Sequence, residues 1–225
     1  MERPEIIINV ASSLDGVIAS DKGALFLSTT EDWVRVHELR NSVDAILVGV
    51  NTIITDNPML TIRYVKPKSP PPYRVILDTK GRIPLNSKVL QNQNTNKTLV
   101  FISEKCSEEK KEEIVKSKAD VIAVLEEETS GFLDLKSILE ILKSNYNINK
   151  ILVEGGSTII TQFLKNELVD QMYVFYFPAF AGGINAKHLF SEKVIEDISD
   201  APQLEITSID ELEEGFLVSL KLDKM

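Results

Sequence analysis

The sequence predicts an α/β protein whose largely parallel sheet is buried on both faces. Two observations carry this reading. Short runs rich in Ile and Val recur at Ile6–Val10, Ala45–Val48, Arg74–Leu77, Thr98–Ile102, Val121–Val124 and Ile151–Val153, and amphipathic stretches separate several of them. The last third then changes character. Met172–Phe177, Leu204–Ile209 and Phe216–Leu222 are strand-like runs with no helical pattern between them, as expected for antiparallel strands added to a parallel sheet.

Each element has a local cause. Glu2, Arg3, Pro4 and Glu5 precede Ile6-Ile7-Ile8, a run far too short for a signal peptide or a membrane span, so it reads as a buried first strand. A helix is expected to start near Thr30. Thr29 or Thr30 can cap it, Glu31 and Asp32 sit at the positive end of its dipole, and Trp33, Val36, Leu39 and Val43 fall on one face. Further helices are expected over Ser107–Lys116, Leu133–Ser144 and Ser157–Asn166, the second with Leu135, Ile138, Leu139 and Leu142 at helical spacing. Pro67, Pro70, Pro71 and Pro72 make Lys66–Pro72 a surface loop. Tyr173, Phe175 and Phe177 alternate with Val174 and Tyr176, which makes that strand apolar on both faces, one for the core and one for a partner subunit. A homodimer is therefore expected.

Composition bounds the function. The 225 residues suit a single domain over 1–225, with 43% hydrophobic and 26% charged residues, an ordinary globular balance. A formal net charge of −9 argues against a nucleic-acid or anionic-membrane surface, which needs a basic face. Cys106 is the single cysteine and His37 and His188 are the two histidines. No intrachain disulfide can form, and a Cys/His zinc site is excluded on ligand count, so a cytoplasmic protein without a metal is expected.

No G-x-G-x-x-G follows the first strand and no G-x-x-x-x-G-K-[ST] occurs, which disfavours a Rossmann dehydrogenase or a P-loop NTPase. Instead Val153-Glu154-Gly155-Gly156-Ser157-Thr158 runs from a strand through two glycines into a helix. Free N–H groups there can cradle a pyrophosphate, although an ordinary strand–helix turn has the same pattern. Asn9 to Gly16 ends the first strand in a turn that projects Asp15 at the sheet's carboxyl edge, where α/β proteins bind ligands; Asp15 fits equally as a turn residue bonding its own backbone. Thr52 and Asp56 are four apart before the Asp56-Asn57-Pro58 turn signal, and on one helical turn they would share a face, as ligand contacts or as caps. Leu77-Asp78-Thr79-Lys80-Gly81-Arg82 ends another strand with two cations, for a cofactor phosphate or a solvated turn. Arg40 and Arg63 are candidates for a substrate phosphate or for modest ion pairs, and His37, with no visible catalytic partner, reads as structural.

Taken together, Ala11 through Gly16, Gly49 through Asp56 with Pro58, Leu60, Thr61 and Arg63, then Asp78-Thr79, Glu154-Gly155-Gly156, and Pro178 through Gly183 stand in an order that resembles the riboflavin-pathway reductases. The similarity spans nearly the whole chain and is greatest to the archaeal and fungal diaminopyrimidine ribosyl-phosphate reductases. It implies a dihydrofolate-reductase-like, three-layer fold, with a mixed, mostly parallel central sheet and antiparallel C-terminal strands. It also implies NADPH, with NADH possible, laid across the carboxyl ends of the strands. By that resemblance Ala11, Thr52, Asp56, Asp78, Thr79, Lys80, Gly81, Glu154, Gly155, Gly156, Ser157 and Thr158 are cofactor contacts. Asn9, Ser13, Asp15, Arg40, Leu60 and Arg63 are substrate contacts, and Asp15 and Glu154 are the acid–base candidates.

The implied reaction is hydride transfer to C1′ of the opened imine of 2,5-diamino-6-(ribosylamino)-4(3H)-pyrimidinone 5′-phosphate, which yields the ribitylamino compound. Alternatives are the deaminated substrate, 5-amino-6-(5-phosphoribosylamino)uracil, a dihydrofolate or pterin reductase, and a non-catalytic nucleotide-binding domain. Gly23-Ala24-Leu25-Phe26-Leu27 departs from the polar, Trp-containing stretch of the bacterial bifunctional relatives. The zinc deaminase fused to those relatives needs cysteines this chain lacks, so a stand-alone reductase is expected.

Overall fold

The computed structural model describes residues 3–20, 23–128, 130–195, 197 and 204–222. In chain order the strands are β1 (Glu5–Ser13), β2 (Val17–Ser20), β3 (Gly23–Ala24), β4 (Ala45–Gly49), β5 (Tyr73–Leu77), β6 (Thr98–Ser103), β7 (Asp120–Val124), β8 (Lys150–Val153), β9 (Gln171–Phe177), β10 (Lys187–His188), β11 (Leu204–Leu212) and β12 (Gly215–Leu222). The helices are α1 (Thr30–Ser42), α2 (Val50–Asp56), α3 (Glu108–Val115), α4 (Leu135–Tyr146) and α5 (Ser157–Lys165). Every expected strand run and helix lies within or overlaps one of these. Thr29 is the cap of α1, its hydroxyl accepting from the Asp32 N–H.

The described residues form a nine-stranded sheet in the order β11-β12-β9-β1-β8-β4-β5-β6-β7. From β9 to β7 all neighbours are parallel, and only β12 and β11 run antiparallel. The expected boundary thus moves by one element, because β9 is parallel to β1 and the reversal begins after it. A small second sheet, β10-β2-β3, covers the end of β1.

The alternation of side chains along the central strands explains the three layers. Ile6, Ile8, Leu47, Val75, Leu99 and Phe101 face α4 and α5, meeting Ile138, Leu139, Leu142, Ile160 and Phe163. Ile7, Ile46, Val48, Ile76, Val100 and Ile102 face the opposite layer, where Leu39 of α1, Ile53 of α2 and Ile114 of α3 pack. Each fully buried Leu or Ile contributes about 1.5–3 kcal/mol, so both layers are held by the sheet and its carboxyl edge is a rigid platform. Among the described residues no helix is long and apolar enough to cross a membrane.

On β9 Phe175 is fully buried and Val174 nearly so, while Tyr173, Tyr176 and Phe177 are half-buried. Three exposed apolar side chains, Leu204, Ile206 and Ile209, lie on the edge strand β11.

Candidate active site

A cleft of about 850 Å³ opens over the carboxyl ends of β1, β4, β5 and β8, within the size range of cofactor sites. Its floor is Asn9, Val10 and Ala11 of β1, Gly49 of β4, Leu77 of β5 and Glu154 after β8. One wall is Thr52, Asp56, Pro58 and Leu60. The other is the start of α5 with Ala186, Lys187 and His188 of the small sheet.

The glycine turn after β8 fits the anion cradle expected of it. Gly155 sits at φ +118, a conformation that L side chains rarely adopt. Gly156 caps α5, and the Ile159 and Ile160 N–H groups already bond its carbonyl. The Ser157 and Thr158 amides at the positive end of the helix dipole line the cleft. The helix can approach β4 this closely because residue 49 is glycine: a Cβ there would lie 2.8 Å from Ile159 Cγ1.

The strongest charge pairing in the cleft is Arg40 with Glu154. Arg40 Nε and Nη2 donate to the two carboxylate oxygens at 2.6 and 2.8 Å, and Nη1 donates to the Thr61 carbonyl at 3.0 Å and faces His37 Nε2 at 3.3 Å. Both side chains are about nine-tenths buried. Burial works against the Arg40 charge, but the attraction and hydrogen bonds of Glu154 outweigh it and the guanidinium pKa is raised. The expected Arg40–phosphate contact therefore meets a guanidinium whose donors are already engaged. His37 Nδ1 accepts from the Arg63 N–H at 2.9 Å. Burial first, then the charges of Arg40 and Arg63, lower the His37 pKa to about 4, so it is a neutral joint between α1 and the 60–63 segment. The Arg63 guanidinium is exposed, bonds Thr61 Oγ1 at 3.4 Å, and does not line the cleft.

Other expected site residues are placed differently. Asp15 accepts from Ser13 Oγ at 2.6 Å and from the N–H groups of Ala181 and Gly182 at 3.0 and 2.7 Å, which lowers its pKa to about 2. It ties the β1 turn to the 178–188 loop and does not line the cleft. Ser13 is fully buried and also bonds Val17. Asp78 is fully buried beneath its own turn, its Oδ2 accepting from the Ile83 N–H. Of the stretch 78–81, Thr79 lines the cleft, joined by Arg82, which donates to Asn51 Oδ1 at 3.0 Å. Partial desolvation raises the Asp56 carboxyl above its ordinary value and Lys187 opposes the shift. Sequence reasoning missed Lys187, whose strand has two residues, and Phe26, an exposed ring at the cleft mouth.

Comparison with known proteins agrees with this geometry. Residues 4–218 match the family model of the RibD C-terminal domain. The 2,5-diamino-6-ribosylamino-4(3H)-pyrimidinone 5′-phosphate reductase of Archaeoglobus fulgidus is 33% identical, over 99% of this chain and 100% of its own length. That of Methanothermobacter thermautotrophicus is 36% identical, over 96% and 97%. Among solved structures, RibD of Acinetobacter baumannii aligns with a TM-score of 0.83 and 25% identity, over 98% of this chain and 58% of that longer one. The Saccharomyces cerevisiae riboflavin biosynthesis reductase Rib7 aligns with a TM-score of 0.75 over 98% and 90% of the two chains, at 23% identity, a likeness of fold. The fold is thus dihydrofolate-reductase-like, as in those reductases, and the chain belongs to the RibD C-terminal domain family.

Proposed function

We propose that this chain reduces the ribosyl side chain of 2,5-diamino-6-(ribosylamino)-4(3H)-pyrimidinone 5′-phosphate to the ribityl form, with NADPH as the reductant, in riboflavin biosynthesis. The observation that carries the reading is the pairing of an anion cradle, at Gly155–Thr158, with the buried Glu154 carboxylate in a single cleft. The full-length match to two reductases of that name supports the choice of substrate. The cradle fits a dinucleotide: Ser157 and Thr158 offer amides to a pyrophosphate, Thr52 offers a hydroxyl, and Arg82 of the cleft lining supplies a cation. When bound, the nicotinamide supplies the hydride.

The protein's part is to position, to stabilise charge and to exclude water. Opening the ribosylamine produces a cationic imine at C1′. Glu154, fixed by Arg40, is the carboxylate that stabilises that cation, and the free donors of Arg63 take the 5′-phosphate. Asp15 acts from a distance by fixing the loop that carries Lys187. The chain works in the cytoplasm as a homodimer joined through Leu204, Ile206 and Ile209 of β11, an edge strand whose apolar exposure a second copy would cover.

The test follows NADPH absorbance with the diamino and deaminated pyrimidine phosphates, with dihydrofolate as control. Turnover of the diamino compound supports the reading. Preference for the deaminated one moves the chain to the other order of steps, and turnover of dihydrofolate alone overturns it. Light scattering should give twice the chain mass, falling to one with I206K/I209K.

A further inference from the structure

Beneath the floor of the cleft lies a polar chain that the reaction above does not use. Arg35 of α1 donates from Nε and Nη2 to Asp32 Oδ1 at 2.9 and 2.7 Å, and from Nη2 to Asn9 Oδ1 at 2.7 Å. Its guanidinium carbon lies 5.9 Å from the centroid of the Tyr173 ring, and Tyr173 is the register partner of Asn9 on β9. Asp32 is 1% exposed and its second oxygen has no partner among the described residues. Arg35 is thus held by a buried carboxylate, an aromatic face and one amide oxygen.

This arrangement decides which way the Asn9 carboxamide points. A guanidinium has donors and no acceptor, so only the amide oxygen can face it. The Asn9 N–H₂ group must then point away from Arg35. It has no partner among the described residues, and Asn9, 7% exposed, lines the cleft. Turned away from Arg35, it is open to the cleft, where a ligand acceptor would meet it.

We infer that Arg35, held by Asp32, is a positioning residue that makes Asn9 a hydrogen-bond donor into the cleft, where it reads an acceptor, a ring carbonyl or ring nitrogen, on the substrate's heterocycle. This rests on the reductase reading and adds the polarity of the contact: the group that meets Asn9 is an acceptor, and an amino group there is rejected.

The experiment measures KM and kcat for the pyrimidine phosphate, and dinucleotide affinity by fluorescence, in wild type and variants. Asn9→Asp keeps an oxygen for Arg35 but exchanges the donor for an acceptor. It should raise KM about tenfold or more, the effect of one hydrogen bond to the substrate lost and an acceptor set against an acceptor, with dinucleotide affinity within about twofold. Arg35→Met releases the amide without touching the cleft. It should raise KM several-fold with kcat nearly unchanged, and Arg35→Lys, which can still donate to Asn9, should recover part of the loss. A KM within twofold of wild type in Asn9→Asp would overturn the inference while leaving the reductase reading intact. So would equal losses in Arg35→Met and Arg35→Lys. A wild type silent on every pyrimidine phosphate would overturn both.

Discussion

The two edges of the parallel sheet use buried polar side chains in opposite ways. At the amino edge they bond chiefly to main chain. Arg74, 2% exposed, donates to the carbonyls of Gln91 and Asn96, and Thr98 donates to that of Val89. The partly buried Asp44 accepts from the N–H groups of Asn149 and Lys150, and Asp170 accepts from Ile6 and also pairs with Arg3. At the carboxyl edge some of them bond main chain as well, as Asp78, Ser13 and His37 do, but the side chains at the cleft pair with each other, Arg40 with Glu154 and Arg35 with Asp32 and Asn9. A side chain that satisfies main chain staples the fold. Side chains that satisfy one another hold charge and donors in place for something else. The amino edge is therefore expected to report on stability and the carboxyl edge on activity.

The two buried arginines put the largest numbers on this contrast. Arg40→Met strands the Glu154 carboxylate in a nearly dry site and should cost about 3–5 kcal/mol in chemical denaturation, with activity lost. Arg40→Met combined with Glu154→Leu removes both charges, and stability should return to within about 1–2 kcal/mol of wild type while activity stays lost. Recovery of activity in the double variant would remove Glu154 from the chemistry. Arg74→Met should cost about 1–3 kcal/mol through the stranded carbonyls yet leave kcat/KM of the folded enzyme within about twofold. Among the described residues Arg74 has no carboxylate partner, and burial lowers its pKa to about 10; it tolerates that because carbonyl oxygens solvate it. A large activity loss in Arg74→Met would break the division between the edges.

A smaller effect tests the joint at His37. Its folded pKa, about 4, lies below the ordinary 6.5, so between those values the unfolded chain binds the proton and the folded chain does not. Stability is complete above pH 6.5 and declines as pH falls toward 4. His37→Asn keeps an acceptor for the Arg63 N–H and removes the titration. Urea midpoints measured from pH 7 to pH 4 should fall less steeply in the variant, and an unchanged slope would assign the acid sensitivity to other groups.

How much of this was legible in the sequence follows the same division. The core strands and α1 were visible because their apolar periodicity and the Thr29 cap are local. β2, β3 and β10, of two to four residues, have too little pattern to see, and the pairing of β10 with β2 is non-local. The direction of β9 was not legible, since an apolar strand reads the same parallel or antiparallel. The Gly155-Gly156 turn was visible because glycine is locally diagnostic. Nothing local couples Arg40 to Glu154, which are 114 residues apart, so Arg40 read only as a cation. The Asp32–Arg35 pair was within reach, being three residues apart on a helix, but its consequence for Asn9 needed the strand beside it.

The smallest effect concerns Asp15, the carboxylate that most resembles an amino-edge staple while sitting at the carboxyl edge. Its ordinary turn role and its place beside the ligand edge make different demands. As a staple it fixes Ala181 and Gly182, and through them the loop that brings Lys187 and His188 to the cleft. Its pKa of about 2, set by the Ser13 hydroxyl and then by those two amides, means that its contribution is complete above the ordinary carboxyl value and is lost only as pH falls through about 2. Across the working range it is an unvarying anion, so it cannot shuttle a proton there. Asp15→Asn retains a carbonyl acceptor for one amide and should leave kcat nearly unchanged, with a few-fold weaker dinucleotide binding. Asp15→Ala should speed hydrogen exchange at Ala181 and Gly182 and weaken that binding further. If Asp15→Asn instead abolished kcat with binding intact, the carboxylate would be a proton carrier and the carboxyl edge would hold two catalytic acids in place of one.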